Sequence, residues 1–516
     1  MPDGARTGTD VLPVVVVGAG PTGISVAILL ADQGVPVLVL DRWAEPYPQP
    51  RAVHLDDEVY RILEMFGAAD DFAEISRPAL GLRLLDRSHR VLTEFDRSGV
   101  APADGHPRAN MFDQPVLEQL LRDHAARRDG LCLRGGVEVT SLTDRGDHVE
   151  VAAVDRESGA ALGWRAAYVL GCDGANSRVR ESIGASYEDL RFEQRWLVVD
   201  VETTRELGLW EGVHQVCDAE RAATYMRVGE TRHRWEFRLL DSEHAGQFGT
   251  VSDLAPLLRP WVPSVPEDEL QLVRVAEYTF RAKVADRWRS GRVFLLGDAA
   301  HLTPPFVGQG MGAGLRDAAN LAWKLAGVLD GALPESVLET YESEREPHAR
   351  ALVELARMTG VVMTAGGRFG DLLRRVVAPQ LPHVPGLAAR LADGTTPPLR
   401  LDGTGRAKGD RLAGRLMPNV VVDGVDLDAS TRGAWVLVSR DPVAPSVRAS
   451  LRDHGCVVVH ASAGPLAAWL ESGRSRAALA RPDHTVHLSH ARTPTVTAEA
   501  LQVLARRPPA AELLRG

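Results

Sequence analysis

Short runs of consecutive apolar, mostly β-branched residues recur at 11–17, 35–40, 168–170 and 292–296. A strand buried on both faces reads this way, so these runs predict a parallel sheet covered by helices. Helical spacing is predicted over 56–66, 114–127, 315–329 and 336–364. Elsewhere the pattern changes period. Residues 138–154 alternate, 82–96 read as a hairpin, and strand-like runs at 196–201, 223–228, 233–240 and 271–280 predict an antiparallel sheet whose inner face roofs a pocket. A proline-punctuated exit at 379–398 leads to apolar strands at 420–422, 435–438 and 456–459, a small α/β module.

The turns between these elements carry the chemistry. After the first strand, Gly18-Ala19-Gly20-Pro21-Thr22-Gly23 opens a helix, and a second strand ends at Asp41 with Arg42 beside it. Strand, G-x-G-x-x-G, helix, strand and a distant acid form the dinucleotide fingerprint in its confirming context. Gly18 permits the tight turn, Gly20 lets a pyrophosphate approach, Gly23 lets helix pack on strand, and Asp41 suits a ribose hydroxyl. A second acid-glycine turn, Cys172-Asp173-Gly174, runs into Ser177 and Arg180. A third, Gly297-Asp298-Ala299-Ala300-His301, continues through Thr303, Pro304 and Pro305 into Gly308, Gly310, Met311 and Gly312. Asp298 at a strand tip is suited to a sugar or ribitol hydroxyl. The glycines open main-chain N–H groups and a helix N-terminus to an anionic, planar ligand.

Composition narrows the classes. With 516 residues the chain exceeds a single core and predicts two or three domains. A net charge of -10 argues against a nucleic-acid surface. No apolar stretch reaches the length of a membrane span, and residues 1–10 lack signal-peptide order, which predicts a cytoplasmic protein. The cysteines, Cys132, Cys172, Cys217 and Cys456, are scattered without a C-x-x-C or metal-ligand spacing, so no metal is expected.

Taken together, these motifs resemble the single-component FAD-dependent aromatic hydroxylases, the class of para-hydroxybenzoate hydroxylase and phenol hydroxylase. The likeness is greatest to 3-(3-hydroxyphenyl)propanoate hydroxylase and related polyketide and antibiotic monooxygenases. It is carried by Gly18 to Gly23, Pro50-Arg51-Ala52 with Asp56-Asp57-Glu58, Gln114-Pro115, Cys172-Asp173-Gly174 and Arg234-Trp235-Glu236-Phe237. Gly297 to His301, Gly308-Gln309-Gly310, Arg316-Asp317-Ala318, the Asn320 to Leu325 run and Tyr341 to Arg345 extend it. The implied fold is α/β: a Rossmann-like FAD-binding domain over 11–190 and 286–395, an antiparallel-sheet substrate domain over 191–285, and a thioredoxin-like module over 400–516 lacking C-x-x-C. Without that dithiol the module is expected to serve packing or a homodimer.

The activity implied by the resemblance is oxygen insertion into a phenolic or polycyclic aromatic substrate through a flavin hydroperoxide, with NADPH or NADH as a transient reductant and O2 as co-substrate. A Baeyer–Villiger type insertion on the same fold and a non-catalytic flavin-binding protein are the alternatives. Carried over by position, Arg51 stands beside the pyrophosphate and moving flavin, Gln114 near the ring system, and Asp298 on the ribitol. The backbone of 310–312 polarises a flavin carbonyl, and the Pro304 carbonyl meets the peroxide. His54 departs from the family pattern, where a small residue is expected. An imidazole there suits hydrogen bonding to a phenol or its deprotonation, with a structural histidine as the plainer reading.

Overall fold

A computed structural model describes residues 11–47, 52–98, 104–365, 370, 396–401, 410–422 and 425–504. The apolar runs do form a parallel sheet. Val11–Val17 lies between Ala161–Gly171 and Val37–Leu40, with Leu131–Arg134 outside Val37–Leu40 and Val293–Leu295 outside Ala161–Gly171, all parallel. The chain leaves this sheet at Gly171 and returns at Val293. The alternating stretch is an antiparallel pair, Val137–Asp144 and Val149–Asp155, hung on the edge of Ala161–Gly171. Helices Pro21–Ala31 and Gly310–Leu329 pack together, and Val14, Val15, Val16, Leu170, Leu295 and Leu321 are fully buried in the core they share.

The second sheet is larger than its predicted strands. Its order runs His301–Leu302, Gln271–Ala285, Tyr187–Glu202, Arg232–Arg238, Ala223–Arg227, Val213–Val216, then the hairpin Gly81–Leu85 and Val91–Asp96. Neighbours are antiparallel except Val213–Val216 with Gly81–Leu85, which run parallel. The predicted hairpin therefore belongs here, and the long strand Tyr187–Glu202 pairs with Gln271–Ala285 on one side and Arg232–Arg238 on the other.

The faces of this sheet are unlike. Tyr225, Val216, Trp235 and Phe237 enter a core shared with helix Val251–Leu258 and Trp261. Their strand neighbours Thr224, Gln215, Arg234 and Glu236 point the other way, as a period of two requires, and line a cavity against the first sheet.

Two helices differ from expectation. The helix expected from 315 starts at Gly310, because Gly312 and Gly314 are packing positions: a Cβ at Gly314 would sit 2.3 Å from Thr22 Oγ1 and 3.1 Å from Gly297 Cα. The helix expected over 336–364 is a 3-10 turn, Glu335–Glu339, followed by Thr340–Thr364. The proline-punctuated exit lies mostly outside the described residues, apart from 396–398.

Near the C-terminus, Trp435–Ser439 runs parallel to Cys456–His460 and antiparallel to Ala477–Ala480, which pairs with Val486–His490. This module docks through buried charge: Arg61 meets Asp428 at 2.6 Å, and Arg481 meets Glu344 at 2.9 Å. Trp323 packs edge-on against Trp435. Among the described residues no helix is long and apolar enough to cross a membrane.

Candidate active site

The first turn forms as the fingerprint predicts. Gly18 has φ 105°, and a Cβ on it would lie 2.3 Å from the Cys172 carbonyl oxygen. A Cβ on Gly23 would lie 1.9 Å from the Gly18 carbonyl oxygen, so this glycine packs helix on turn and does not reach the cavity. Gly20 is different: nothing lies within 4 Å of its Cβ position. The helix that follows has no side-chain cap and no acid in its first turn, so its N–H groups are left for an anion. The Asp41 carboxylate accepts from Ala19 N–H at 2.5 Å and Trp43 N–H at 2.7 Å, tying the second strand to the turn.

The second turn is held by Asp173, which accepts from Ser177 Oγ at 2.5 Å and Arg178 N–H at 2.7 Å. Burial pushes the Asp173 carboxyl above its ordinary value. In the third, Asp298 lies in the turn Gly297–Ala299 directly after Val293–Leu295, and its carbonyl accepts from the Tyr187 hydroxyl.

The loop beyond is clamped from beneath by the motif residues. Arg316 reaches Asp56 and Glu58 at 2.8 and 2.7 Å, while Gln309 donates to Asp56 at 2.7 Å. Arg316 holds the Asp56 carboxyl below its usual range against the opposing effect of burial. Further down, His301 meets Asp317 at 2.8 Å, and Asp317 also pairs with Arg345 at 2.9 Å and accepts from Gly297 N–H at 3.0 Å. These conserve loop geometry without touching the cavity. Helix Gly310–Leu329 also starts without a side-chain cap or first-turn acid, leaving a positive end aimed along the loop.

A single cavity of about 600 Å³ joins these parts. Gly18, Gly20, Pro21, Thr22, Asp41, Arg42, Gln114, Asp173, Asp298, Pro305, Gly308, Gly310 and Met311 line it, as does His54. Pro304 and Gly312 do not: Pro304 is buried, and the Cβ position of Gly312 faces Val59 at 3.0 Å. Arg51 lies outside the described residues. Gln114 accepts from Ala52 N–H at 2.6 Å, so it anchors the segment leading to His54. The turn geometry, the open Gly20 and the uncapped helix starts fit an FAD pyrophosphate and flavin.

Away from these turns the wall mixes Phe280, Phe306 and other apolar side chains with Arg97, Gln215, Thr224, Arg234 and Glu236. Trp196 stacks on Phe280 at 5.5 Å, and Phe306 stands edge-on to both. Met111, Met226 and Val213 complete this chamber. His54 sits at the junction, 7% exposed, with Nδ1 3.4 Å from the Gly308 carbonyl. Burial, reinforced by Arg97, pulls its pKa down to about 4. Gln215, absent from the sequence expectations, donates from Nε2 to the Phe306 carbonyl at 2.7 Å. Its only sequence signal is a glutamine in a short strand whose other members are largely apolar.

A dinucleotide cradle continuous with a cavity walled in part by Phe280 and Phe306 is the architecture of a flavoprotein monooxygenase. Residues 11–356 match the FAD binding domain family, and the chain belongs to it. Over 366 residues it is 39% identical to a probable NADH-specific resorcinol 4-hydroxylase of Rhodococcus jostii (strain RHA1), covering 70% of this chain and 67% of that protein. It is 36% identical to the 3-(3-hydroxy-phenyl)propionate/3-hydroxycinnamic acid hydroxylase of Burkholderia cenocepacia (strain HI2424) over 72% of this chain and 68% of the relative. Among solved structures, OxyS anhydrotetracycline hydroxylase from Streptomyces rimosus matches with a TM-score of 0.78 at 27% identity, covering 96% of this chain and 99% of that one. The flavin-dependent monooxygenase PieE, solved in complex with FAD and substrate, shares the fold with a TM-score of 0.80 at 22% identity over 96% of this chain and 100% of its own.

Proposed function

We propose that this FAD-dependent monooxygenase hydroxylates a phenolic or polycyclic aromatic substrate, using O2 and NADH or NADPH. The observation that carries the reading is the continuity of one cavity from the Gly18 turn to the chamber of Phe280 and Phe306. When bound, the flavin supplies reducing equivalents and the activated oxygen. The chain's own residues bind, orient and exclude water. Gly18, Gly20, Pro21, Thr22 and the helix start would hold the pyrophosphate, Asp41 and Arg42 the adenosine ribose side, and Asp173 and Asp298 the linker and ribitol. The N–H groups of Gly310 and Met311, at an uncapped helix start, would offer a positive field to a bound flavin. Gln114 positions the 52–54 segment, and the Pro304–Pro305 turn carries the loop between substrate and flavin.

His54 works as a neutral hydrogen-bond acceptor for a substrate hydroxyl. With a pKa of about 4 it takes up a proton poorly, which favours this role over that of a general base. Arg51 keeps the role its position implies, beside the pyrophosphate.

The chain divides as 11–190 with 286–395 for FAD, 191–285 joined by the hairpin Gly81–Leu85 and Val91–Asp96 for substrate, and 400–516 as a thioredoxin-like module. Supporting the last is the strand order Cys456–His460, Trp435–Ser439, Ala477–Ala480, Val486–His490, with helices Pro445–Asp453 and Thr493–Leu504 alongside. Its role is packing within a cytoplasmic homodimer, which light scattering tests. For the activity, the FAD-loaded protein is mixed with NADH or NADPH and a panel of phenols and aromatic polyketides. Ligand-stimulated oxidation giving a product one oxygen heavier is expected. Tight ligand binding with no stimulated oxidation of either reductant overturns the reading.

A further inference from the structure

We infer that the chamber wall reads two hydroxyl groups on one aromatic ligand, one through Gln215 and one through His54, so that dihydroxylated arenes are preferred over monohydroxylated ones. This rests on the hydroxylase reading above and narrows its substrate class.

The orientation of Gln215 follows from its partner. A carbonyl oxygen only accepts, so the amide end facing Phe306 is the nitrogen, and Oε1 is the acceptor left over. Gln215 is 2% exposed, and Oε1 is buried with no hydrogen-bond partner. The same logic fixes His54. The Gly308 carbonyl beside Nδ1 only accepts, so Nδ1 carries the hydrogen and the neutral ring presents a lone pair at Nε2. That nitrogen is also buried and unpartnered.

Both side chains line the cavity, and both are tethered to one loop, at residues two positions apart. Thr303 Oγ1, on the same loop and lining the same cavity, is a third buried polar atom without a partner. Gln215 Oε1 and His54 Nε2 belong to side chains of the cavity wall, so a hydroxyl on a ligand packed against that wall is the donor a ligand can bring to each. Buried acceptors that stay empty oppose binding, and each is relieved by one hydroxyl. The Thr303 hydroxyl carries its own proton and can donate or accept, so the acceptors that need a proton from outside are Gln215 Oε1 and His54 Nε2, and these two call for two donors. Electron-rich rings bearing two hydroxyls meet that requirement, and a ligand with one hydroxyl leaves an acceptor stranded.

The test is ligand titration of the FAD-loaded, full-length protein, followed by the change in flavin absorbance. The probes are matched pairs: 1,3-dihydroxybenzene against 3-methoxyphenol, and 1,3-dihydroxynaphthalene against its monomethyl ether. Wild type is expected to bind the diol about tenfold or more tightly in at least one pair. In Gln215→Leu, diol affinity should fall about tenfold while ether affinity stays within about threefold, collapsing the ratio. His54→Phe should do the same.

Equal affinity for diol and ether in wild type, or no diol binding in either pair, overturns the inference without any variant. So does a ratio preserved in variants that load FAD normally. NADH and NADPH oxidation measured on the same samples separates the two readings. A diol preference without stimulated oxidation sinks the hydroxylase reading alone, and oxidation without a preference sinks only the recognition of two hydroxyls.

Discussion

On the nucleotide side of the cavity, charged side chains face one another; on the sheet side, polar side chains face the chamber. Asp56, Glu58, Gln309 and Arg316 exhaust much of their bonding capacity among themselves, and so do Asp317 and Arg345, although His301 beside them keeps a buried Nδ1 unpaired. Gln215, Thr303 and His54 keep buried atoms unpaired. The difference teaches how to sort polar residues around a cavity. A satisfied cluster shapes backbone for a fixed cofactor, whereas an unsatisfied atom waits for a ligand that comes and goes.

The sharpest way to break the comparison is to disturb the satisfied side through backbone alone. Gly23→Ala places a methyl group 1.9 Å from the Gly18 carbonyl oxygen, where no side chain can move aside. The turn that receives the pyrophosphate must then shift. The purified variant is expected to lose FAD, its flavin-to-protein absorbance ratio falling by about tenfold or more. Normal flavin content would mean that the turn is not what holds the cofactor.

Next comes the buried carboxylate of Asp317. Asp317→Ala strands Arg345 and His301, both almost fully buried, with no shared counter-charge. Losing one partner of a buried pair is expected to cost about 3–5 kcal/mol, read from urea unfolding of the full chain. A change below about 1 kcal/mol would show that the charge is satisfied by rearrangement and that the cluster does not stiffen the loop.

A smaller effect, confined to chemistry, is expected on the unsatisfied side. His54→Ala should lower kcat/KM for a true substrate by about tenfold and raise hydrogen peroxide formed per NAD(P)H oxidised, with unfolding changed far less than by Asp317→Ala. The pH profile sharpens the assignment. Burial beside Arg97 places the His54 pKa at about 4, below the ordinary value of 6.5, so the ring is neutral at pH 6 and above and turns into a donor only as pH falls toward 4. A wild-type kcat/KM profile with a histidine-like rise between pH 6 and 7, absent in His54→Ala, would show a ring that titrates during turnover and overturn the neutral-acceptor role.

What the sequence disclosed follows the same division. The Gly18 to Gly23 turn, Asp41, Asp173 and Asp298 were legible because their task is set by local backbone, which a few adjacent residues encode. Asp56 and Arg316 were visible as motifs, yet that they bond each other, 260 residues apart, was not. Local patterns carry no record of which partner a distant residue meets. Gln215 was invisible for the same reason, since the Phe306 carbonyl to which it donates lies 91 residues further along the chain. The start of helix Gly310–Leu329 was placed late because glycine has poor helix propensity, and close packing on Thr22 overrides it. Ala477–Ala480 escaped because alanine is a weak strand former whose place is set by Trp435–Ser439 beside it.

Asp57 is an exception within the satisfied side, and it gives the most specific prediction. It begins the helix Asp57–Met65, is 4% exposed, and lies near Asp56, Asp104 and Glu58, whose counter-charge goes to Arg316 and Arg61. Burial first, then those neighbouring carboxylates, push its pKa up to about 9 from the ordinary 3.8. In the folded chain Asp57 therefore keeps its proton through neutral pH, whereas in the unfolded chain it has released it. Across the window from about 4 to about 9 the folded state binds the extra proton, so stability falls as pH rises through that window. Asn mimics the protonated acid and has nothing to titrate. Asp57→Asn should accordingly gain stability relative to wild type between pH 5 and pH 8, by up to about 4 kcal/mol for one proton over three pH units, seen as a Tm difference that widens with pH. A Tm difference that is flat or narrows between those values would mean that Asp57 is ionised in the fold, and that a counter-charge answers it as Arg316 answers Asp56.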